Sequence, residues 1–386
     1  MRYDVTFVLA KLEIGGIERN RLKIINQCIR WGLNVRVILL EMKGDLLREL
    51  PGEVETKCLG SPFKWFFPLR LVVTFSFGRT ATVISAFDDV NVMVVFASLL
   101  TRGRIPILLS NHNTFSEAWA RSTGLKWVKF TILRYLLPWA FKRARAVVAV
   151  SSGVADDLAK TLRFPRSSIE VIYNPVIDKD FYSRARQEPA HSSNNNTILF
   201  VGRFVPQKDL PTLLEAVNLL AARRKVDLLM IGDGPQRQEV ESIIQKTGLA
   251  DVVRLVGTVE NPLPVMARCG VLVLSSRFEG LPGVLIEALA CGTQVVSTDC
   301  PHGPAEILEG GRYGQLVPVG DPPALAEAIE RSLSRKFWVD PEILKVRASE
   351  FSVEKATRRY LELAGYDVST LPPTDQPAPR TDPANG

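Results

Sequence analysis

The chain has 386 residues, 46% of them hydrophobic and 23% charged, with a formal net charge of +7. At roughly 150 residues per domain this length calls for two domains, each able to bury its own core. The five cysteines and three histidines are scattered and form no C-x-x-C, which argues against a disulfide framework, a zinc site and a His-rich metal centre.

No secretory leader is expected: Arg2 and Asp4 precede a short apolar run, Val5 to Ala10, and charge follows it. No stretch of about 18 uncharged apolar residues offers a membrane span. The expectation is a soluble protein of a reducing compartment. Charge is unevenly divided, since residues 1–183 carry 26 basic against 16 acidic residues and the remainder 22 against 25. Within 101–145 nine basic residues face one acidic residue, Glu117. A single-sign field on one half suits an anionic partner for that half.

Asp4 to Ala10 reads as a buried strand and Val35 to Leu40 as another. Between them Leu22, Ile25 and Ile29 follow helical spacing, Ile24 and Cys28 widen the stripe, and Gly32 supplies the stop. The unit recurs, with strands predicted at Thr82 to Ala86, Ile105 to Ser110 and Ala146 to Ser151 and a helix over Gly153 to Leu162. Arg184 to Asn196 has the composition of a linker. Beyond it, strands at 197–202, 227–232, 253–257, 271–275 and 294–298 alternate with helices at 209–223, 236–247, 261–268 and 282–290. The fold class is therefore α/β, two doubly wound parallel sheets covered by helices on both faces. Two such domains facing each other leave a cleft at the carboxyl ends of their strands, where ligands bind. The Pro-rich segment from Leu371 onward cannot build a core and is expected to be disordered.

The segment Ser276 to Gly292, SRFEGLPGVLIEALACG, is the most informative. A buried strand runs into a Gly-Pro turn that opens a helix, with Pro282 near its first position. The free amides of that turn, Gly283 and Val284, together with the helix dipole form an anion site suited to a phosphate. Glu287 sits among Leu285, Ile286, Ala288, Leu289 and Ala290, a carboxylate on a buried helix, and calls for hydroxyl or cationic partners. Helical side chains lean toward the N-terminus, which aims it at the turn. On this local pattern Glu279 and Glu287 are either ligand-binding carboxylates or, respectively, a charge favoured by the dipole and a salt-bridge partner.

Glu279-x7-Glu287 in this setting resembles the nucleotide-sugar site of retaining glycosyltransferases of family 4, which have the GT-B fold. FVGRFVPQKDL from Phe200 to Leu210 is similar to the family's strand and loop carrying a diphosphate-binding Arg and Lys, here Arg203 and Lys208 after Gly202. IGDGP from Ile231, GPAEIL from Gly303, GQLVP from Gly314 and YNPV from Tyr173 match further elements, so the likeness is specific over 145–366 and mainly one of layout over 1–144. It implies an acceptor domain over 1–183, a nucleotide-sugar domain over 184–350, a helix over 351–366 returning to the first domain and a tail over 367–386. It assigns Glu287 to ribose hydroxyls and Glu279 to the donor sugar or its reacting face. The implied donor is a UDP-sugar, transferred with retained anomeric configuration while the leaving diphosphate helps deprotonate the acceptor.

The chemistry of the residues agrees. Arg203 and Lys208 follow a strand end and precede a helix, so both can reach one point of the cleft; the other reading is two solvated surface charges. Two cations suit a diphosphate whose charge grows as the glycosidic bond breaks. No cluster of metal ligands stands out, and a metal-independent enzyme is expected.

In the first half, Gly15 and Gly16 follow the first strand, where paired glycines either let the backbone approach a ligand or make a tight turn. By resemblance this loop borders the donor phosphate and acceptor. His112 lies just past a strand end, placed for proton transfer, for binding a sugar hydroxyl or for a structural role. Asp88 and Asp89 could bond an acceptor or be solvated. His191 and His302 are taken as non-catalytic. Aromatics mixed with cations over Phe63 to Arg70 and Lys126 to Arg145 fit either contact with an anionic membrane, through 61–75 and 121–145, or core helices with a basic edge. Nucleic acid fits less well, because no recognised binding module is present. The resulting expectation is a hexosyl or N-acetylhexosaminyl transferase of cell-envelope glycan synthesis. Its acceptor is lipid-linked, a lipopolysaccharide or a polysaccharide, at the cytoplasmic face of the inner membrane. A same-fold epimerase or phosphorylase and a non-catalytic binding subunit are the alternatives.

Overall fold

Seven strands, Arg2–Leu9 (β1), Val35–Leu39 (β2), Glu55–Cys58 (β3), Arg79–Ala86 (β4), Ile107–Asn111 (β5), Ala146–Ala149 (β6) and Ile169–Val171 (β7), pair in the order β3-β2-β1-β4-β5-β6-β7. All the pairings are parallel. The helices Gly16–Arg30 (α1), Phe67–Phe77 (α2), Asp88–Leu99 (α3), Phe115–Ala120 (α4), Gly124–Phe141 (α5) and Ser152–Leu162 (α6) connect them. Helices α2, α3, α5 and α6 cover one face over Val8, Val83, Leu109 and Val147. Helix α1 covers the other face over Val5, Phe7, Val37 and Leu108. Covering on both faces is why β1 and β2 are nearly unbroken apolar runs. The structure, a computed structural model, describes residues 2–13, 15–60, 67–77, 79–101, 105–112 and 114–372. Ile14, the first part of the Phe63 to Arg70 stretch, and the chain beyond residue 372 lie outside the described residues.

After Phe181–Ala185 (α7), a second parallel sheet is built from Thr197–Val201 (β8), Asp227–Ile231 (β9), Val253–Gly257 (β10), Val271–Leu274 (β11), Gln294–Thr298 (β12) and Gln315–Val317 (β13). Its order is β10-β9-β8-β11-β12-β13. Leu210–Ala221 (α8) and Arg237–Lys246 (α9) alternate with its first strands, Leu263–Met266 (α10), Gly283–Cys291 (α11) and Pro304–Ile307 (α12) with its later ones, and Pro322–Leu333 (α13), Pro341–Ser349 (α14) and Val353–Ala364 (α15) follow. Helices α8, α9 and α13 bury one face over Ile198, Leu228 and Val271. Helices α10, α11 and α14 bury the other over Leu199, Leu272 and Val295.

The order of both sheets places their functional loops. Strand β1 lies between β2 and β4, and β8 between β9 and β11, so the crossovers leaving each pair diverge and open a crevice at the strand ends. Gly15 and Gly16 follow β1, Arg203 and Lys208 follow β8, and Ser276 to Pro282 follow β11. Gly232, at φ 140°, lets two backbones cross there, since a Cβ would lie 1.9 Å from the Gly202 carbonyl oxygen.

The chain passes between the sheets twice. The N–H groups of Val176 and Ile177 donate to the Phe351 carbonyl at 2.9 and 3.2 Å, and that of Val353 to Ile177 at 2.8 Å. Helix α15 then lays Ala356, Tyr360, Leu361 and Ala364 on the α1 side of the first sheet. The Tyr366 hydroxyl donates to the Asp4 carbonyl at 2.6 Å and Arg145 Nε to the Leu363 carbonyl at 2.6 Å.

Candidate active site

The loops after β8 and β11 are knitted together. The Arg277 N–H donates to the Gln207 carbonyl at 2.8 Å, and Ser275 Oγ to the Lys208 carbonyl at 2.7 Å. This brings Lys208 Nζ to 2.7 Å from Glu279 Oε1, which also accepts from Ser276 Oγ at 2.6 Å. Gln207 Nε2 lies 3.4 Å from the other carboxylate oxygen. The pair is largely buried, with side chains 15% and 9% exposed, a setting in which charge attraction is little screened. Asp209, in the left-handed region at φ 46°, pairs with Arg277 at 3.0 Å and anchors the other end of the loop. Arg203 is exposed and, among the described residues, has no hydrogen-bond or ion-pair partner. It lines a cavity of about 730 Å³ with Lys208, Glu279, Arg277, Phe278 and Arg121. The Arg121 guanidinium, from the first domain, stands 3.6 Å from the centre of the Phe278 ring.

Helix α11 starts at Gly283 after the cap residue Pro282, and its first backbone bond is that of the Leu285 N–H to the Pro282 carbonyl, 3.1 Å. The Gly283 and Val284 amides therefore stay free of intrahelical bonds. One turn on, Glu287 lines a cleft of about 1240 Å³ that also meets Gly283, Glu279, Gly16, Glu18, Lys23, His112 and Asn174. Burial pushes its carboxyl above the usual range, an effect that Lys23 and Arg184 oppose from a distance. The sequence led us to expect a contacting partner for this carboxylate. The structure differs: among the described residues it has neither a hydrogen bond nor an ion pair. The neighbouring cations turn to Asp178 instead, Arg184 at 3.0 Å and Lys23 at 3.9 Å, and Lys23 donates to the Val176 carbonyl at 2.7 Å. An acceptor with two free oxygens is left facing the cleft.

The first domain supplies the opposite wall. Gly16 opens α1, and a Cβ there would meet nothing within 4 Å, so the space in front of it is free for a ligand. Gly15 is the helix cap and is crowded by the Glu18 carboxylate. His112 is close to Gly280 across the cleft, where a Cβ on Gly280 would lie 3.4 Å from its carbonyl oxygen. Burial first, and then the Arg21 guanidinium, hold its imidazole well below the ordinary histidine range.

The structure thus gathers Glu279, Lys208 and Arg203 around one cavity, and Glu287, Gly283, Glu279, Gly15, Gly16 and His112 around the adjoining one. Val284 follows Gly283 on the same turn. Gly202 lines neither cavity and serves the Gly232 crossing described above. Asp88 heads α3 and Asp89 pairs with Lys129 at 2.6 Å; neither lines these cavities. Sequence reading did not single out Lys23, Arg184, Asn174, Gln207, Ser276 or Arg21. Ser276 bonds Glu279 three residues on; the others are brought in by contacts between segments far apart in the chain, for which no local pattern exists.

Residues 14–179 match the family model described as Glycosyltransferase Family 4, and residues 195–335 that described as Glycosyl transferases group 1. A Campylobacter jejuni N-acetylgalactosamine-N,N'-diacetylbacillosaminyl-diphospho-undecaprenol 4-alpha-N-acetylgalactosaminyltransferase is 29% identical over 235 residues, which span 59% of this chain and 62% of that relative. A second protein of that organism, the GalNAc-alpha-(1->4)-GalNAc-alpha-(1->3)-diNAcBac-PP-undecaprenol alpha-1,4-N-acetyl-D-galactosaminyltransferase, is 27% identical over 379 residues, 93% of this chain and 97% of the relative. Among solved structures, HepE of Anabaena in complex with UDP superposes with a TM-score of 0.77 at 20% identity, covering 94% of this chain and 99% of that one, which shows a shared fold.

Proposed function

We propose that this chain, which belongs to the family 4 glycosyltransferases and has their GT-B fold, moves a hexose or N-acetylhexosamine from a UDP-sugar to a lipid-linked or polysaccharide acceptor of the cell envelope. The observation that carries the reading is the unpartnered Glu287 carboxylate one turn inside the free amides of α11. Glu287 is half-buried in the wall of the cleft, where its free oxygens can accept from paired ribose hydroxyls and would regain hydrogen bonds lost on desolvation. The diphosphate then falls at the Gly283 and Val284 amides, within reach of Arg203 and Lys208.

Charge accumulates on the diphosphate as the sugar's anomeric bond breaks. Fixed cations and helix amides oriented beforehand stabilise that charge more in the transition state than in the ground state. Glu279, tied down by Lys208 and Ser276, presents its carboxylate edge to the sugar. The departing diphosphate oxygen takes the proton of the acceptor hydroxyl as the new bond forms on the same face, so configuration is retained and no metal is required. UDP as the nucleotide draws support from the HepE complex, and a lipid-diphosphate acceptor from the names of the two Campylobacter relatives.

A membrane-facing surface fits that acceptor. Among the described residues no helix is long and apolar enough to cross a membrane. Helices α2, α3 and α5 pack side by side and present Leu69, Val73, Phe96, Leu99, Leu125 and Ile132 outward, with Leu125 89% exposed. Helix α5 already buries Leu133, Leu137 and Phe141 against the sheet, so it is apolar on two sides while its flanks are basic.

The reading is tested by following UDP release from a panel of UDP-sugars with bacterial membrane extract as acceptor. Acceptor-dependent release with label entering the lipid fraction is expected. Isomerised free sugar without acceptor, or no turnover of any nucleotide sugar, would overturn it.

A further inference from the structure

Arg21, in the middle of α1, is 1% exposed and lies among Ser110, His112 and Tyr360. Its Nη2 is 2.7 Å from His112 Nε2 and 3.0 Å from the Tyr360 hydroxyl, and it also donates to Ser110 Oγ. The guanidinium carbon stands 4.9 Å from the centre of the Tyr360 ring, so the C-terminal helix holds the cation both through its hydroxyl and through its ring face. Ser110 Oγ is 2.9 Å from the same imidazole nitrogen.

A guanidinium has donors and no acceptor. The Nε2 atom that faces it must present its lone pair, which leaves the ring proton on Nδ1. The other two nitrogens of Arg21, Nε and Nη1, are buried with no hydrogen-bond partner among the described residues. An apolar side chain of similar shape would avoid that penalty, so the arginine has to be accounted for by what Nη2 does.

We infer that Arg21, steadied by Tyr360, is a positioning residue that fixes His112 as the neutral Nδ1–H tautomer, so that the imidazole beside the cleft does not serve as a proton acceptor. Protonating Nε2 would set two donors against each other and place an imidazolium beside a buried guanidinium, at a distance where charges repel strongly. Nδ1 is itself buried without a partner, and Asn174, whose Oδ1 also lacks one, stands beside the ring. The charged and titratable groups around His112 are Arg21 from α1 and Tyr360 from α15, with Glu18 and Glu279 lining the same cleft farther off. Burial acts in the same direction as the arginine, and Asn174 acts against both as the smallest of the three effects. The inference does not depend on which sugar or acceptor is used.

The test is nuclear magnetic resonance of the full chain labelled with 15N in histidine, assigned with His191→Gln and His302→Gln. The expected result is a His112 ring protonated at Nδ1 and bare at Nε2, without titration between about pH 8 and pH 5, where an ordinary histidine titrates near about 6.5. In Arg21→Met, where burial still acts on the ring, the Nε2-protonated tautomer should appear and any titration should move upward, whereas Arg21→Lys, which keeps a cationic donor, should suppress both. A His112 signal that titrates near the ordinary value in the unaltered protein would overturn the inference, as would an unchanged ring in a folded Arg21→Met. Should Arg21→Met fail to fold, the titration of the unaltered protein still decides.

Discussion

Glu306, on α12 of the second domain, receives the N–H of Ser152, at the head of α6 in the first, on both carboxylate oxygens, at 2.8 and 2.9 Å. A carboxylate at a helix N-terminus meets unpaired amides and the positive end of the dipole. Burial, and then Glu306 beside it, push the Tyr173 hydroxyl up to about 12. The same loop reaches the turn before α11: Gly303, at φ 89°, sits where a Cβ would be 2.7 Å from the Gly280 carbonyl and 2.7 Å from Pro282 Cδ.

Breaking this clasp should open the cleft. Glu306→Ala is expected to weaken the contact by about 1–2 kcal/mol, in the range of lost helix caps and charged hydrogen bonds. Small-angle scattering should show a larger radius of gyration and kinetics a raised donor KM. An unchanged scattering curve with unchanged KM would show that the clasp does not hold the domains.

Glu287 combines cost and use. Glu287→Ala should lower kcat/KM by about 2–4 kcal/mol in transition-state terms, comparable to losing a preorganised polar contact. The unliganded protein should at the same time become somewhat more stable to denaturant, because a half-buried carboxylate without a protein partner has been removed. Lower stability in the variant would mean that Glu287 is held by the fold itself.

Arg203 and Lys208 should separate in their effects. Arg203→Ala removes an exposed side chain without a protein partner, so Tm should stay unchanged while donor affinity falls. Lys208→Ala leaves Glu279 without its cation at 2.7 Å, so both Tm and kcat/KM should drop, the latter by about 2–4 kcal/mol. Equal Tm values for the two variants would contradict this division.

Asp88 sets a pH dependence of stability. Burial, and then Asp89, raise its carboxyl to about 7. A carboxyl raised on folding favours the native state while protonated, so its contribution is fully present below about pH 4 and is lost as pH rises through about 7. Between pH 5 and 8 the loss is on the order of 2–3 kcal/mol by linkage. Denaturation curves of Asp88→Asn should be flatter over that range; an identical pH profile would exclude Asp88 as the source.

The exposed face of α2, α3 and α5 should bind vesicles containing anionic lipid in a salt-sensitive way. Leu125→Glu with Ile132→Glu should abolish pelleting while leaving binding of UDP unaffected. Indifference of the native chain to lipid charge and salt would remove the membrane role.

Much of the architecture is legible in the chain because parallel strands covered on both faces are continuous apolar runs, as at Val271 to Leu274 and Val35 to Leu39. The turn before α11 is equally plain, since Gly280, Pro282 and Gly283 leave little choice of helix start. Strand β3 escaped because Glu55 to Cys58 alternates on an edge and lacks such a run. Helix α3 escaped for the opposite reason: beyond its first turn it is apolar nearly all round, so no helical period stands out. The helix predicted over 261–268 shrinks to Leu263–Met266 between Pro262 and Gly270. What the chain order hides is partnership. Lys208 meets Glu279 across 71 residues and Arg21 meets Tyr360 across 339, and no spacing rule spans such distances.

The most direct test of the central claim is a crystal structure of the protein soaked with a UDP-hexose. The account predicts ribose hydroxyls on the Glu287 carboxylate and the diphosphate on the Gly283 and Val284 amides beside Arg203 and Lys208. Clear density for the nucleotide elsewhere, with Glu287 still unpartnered, would contradict it.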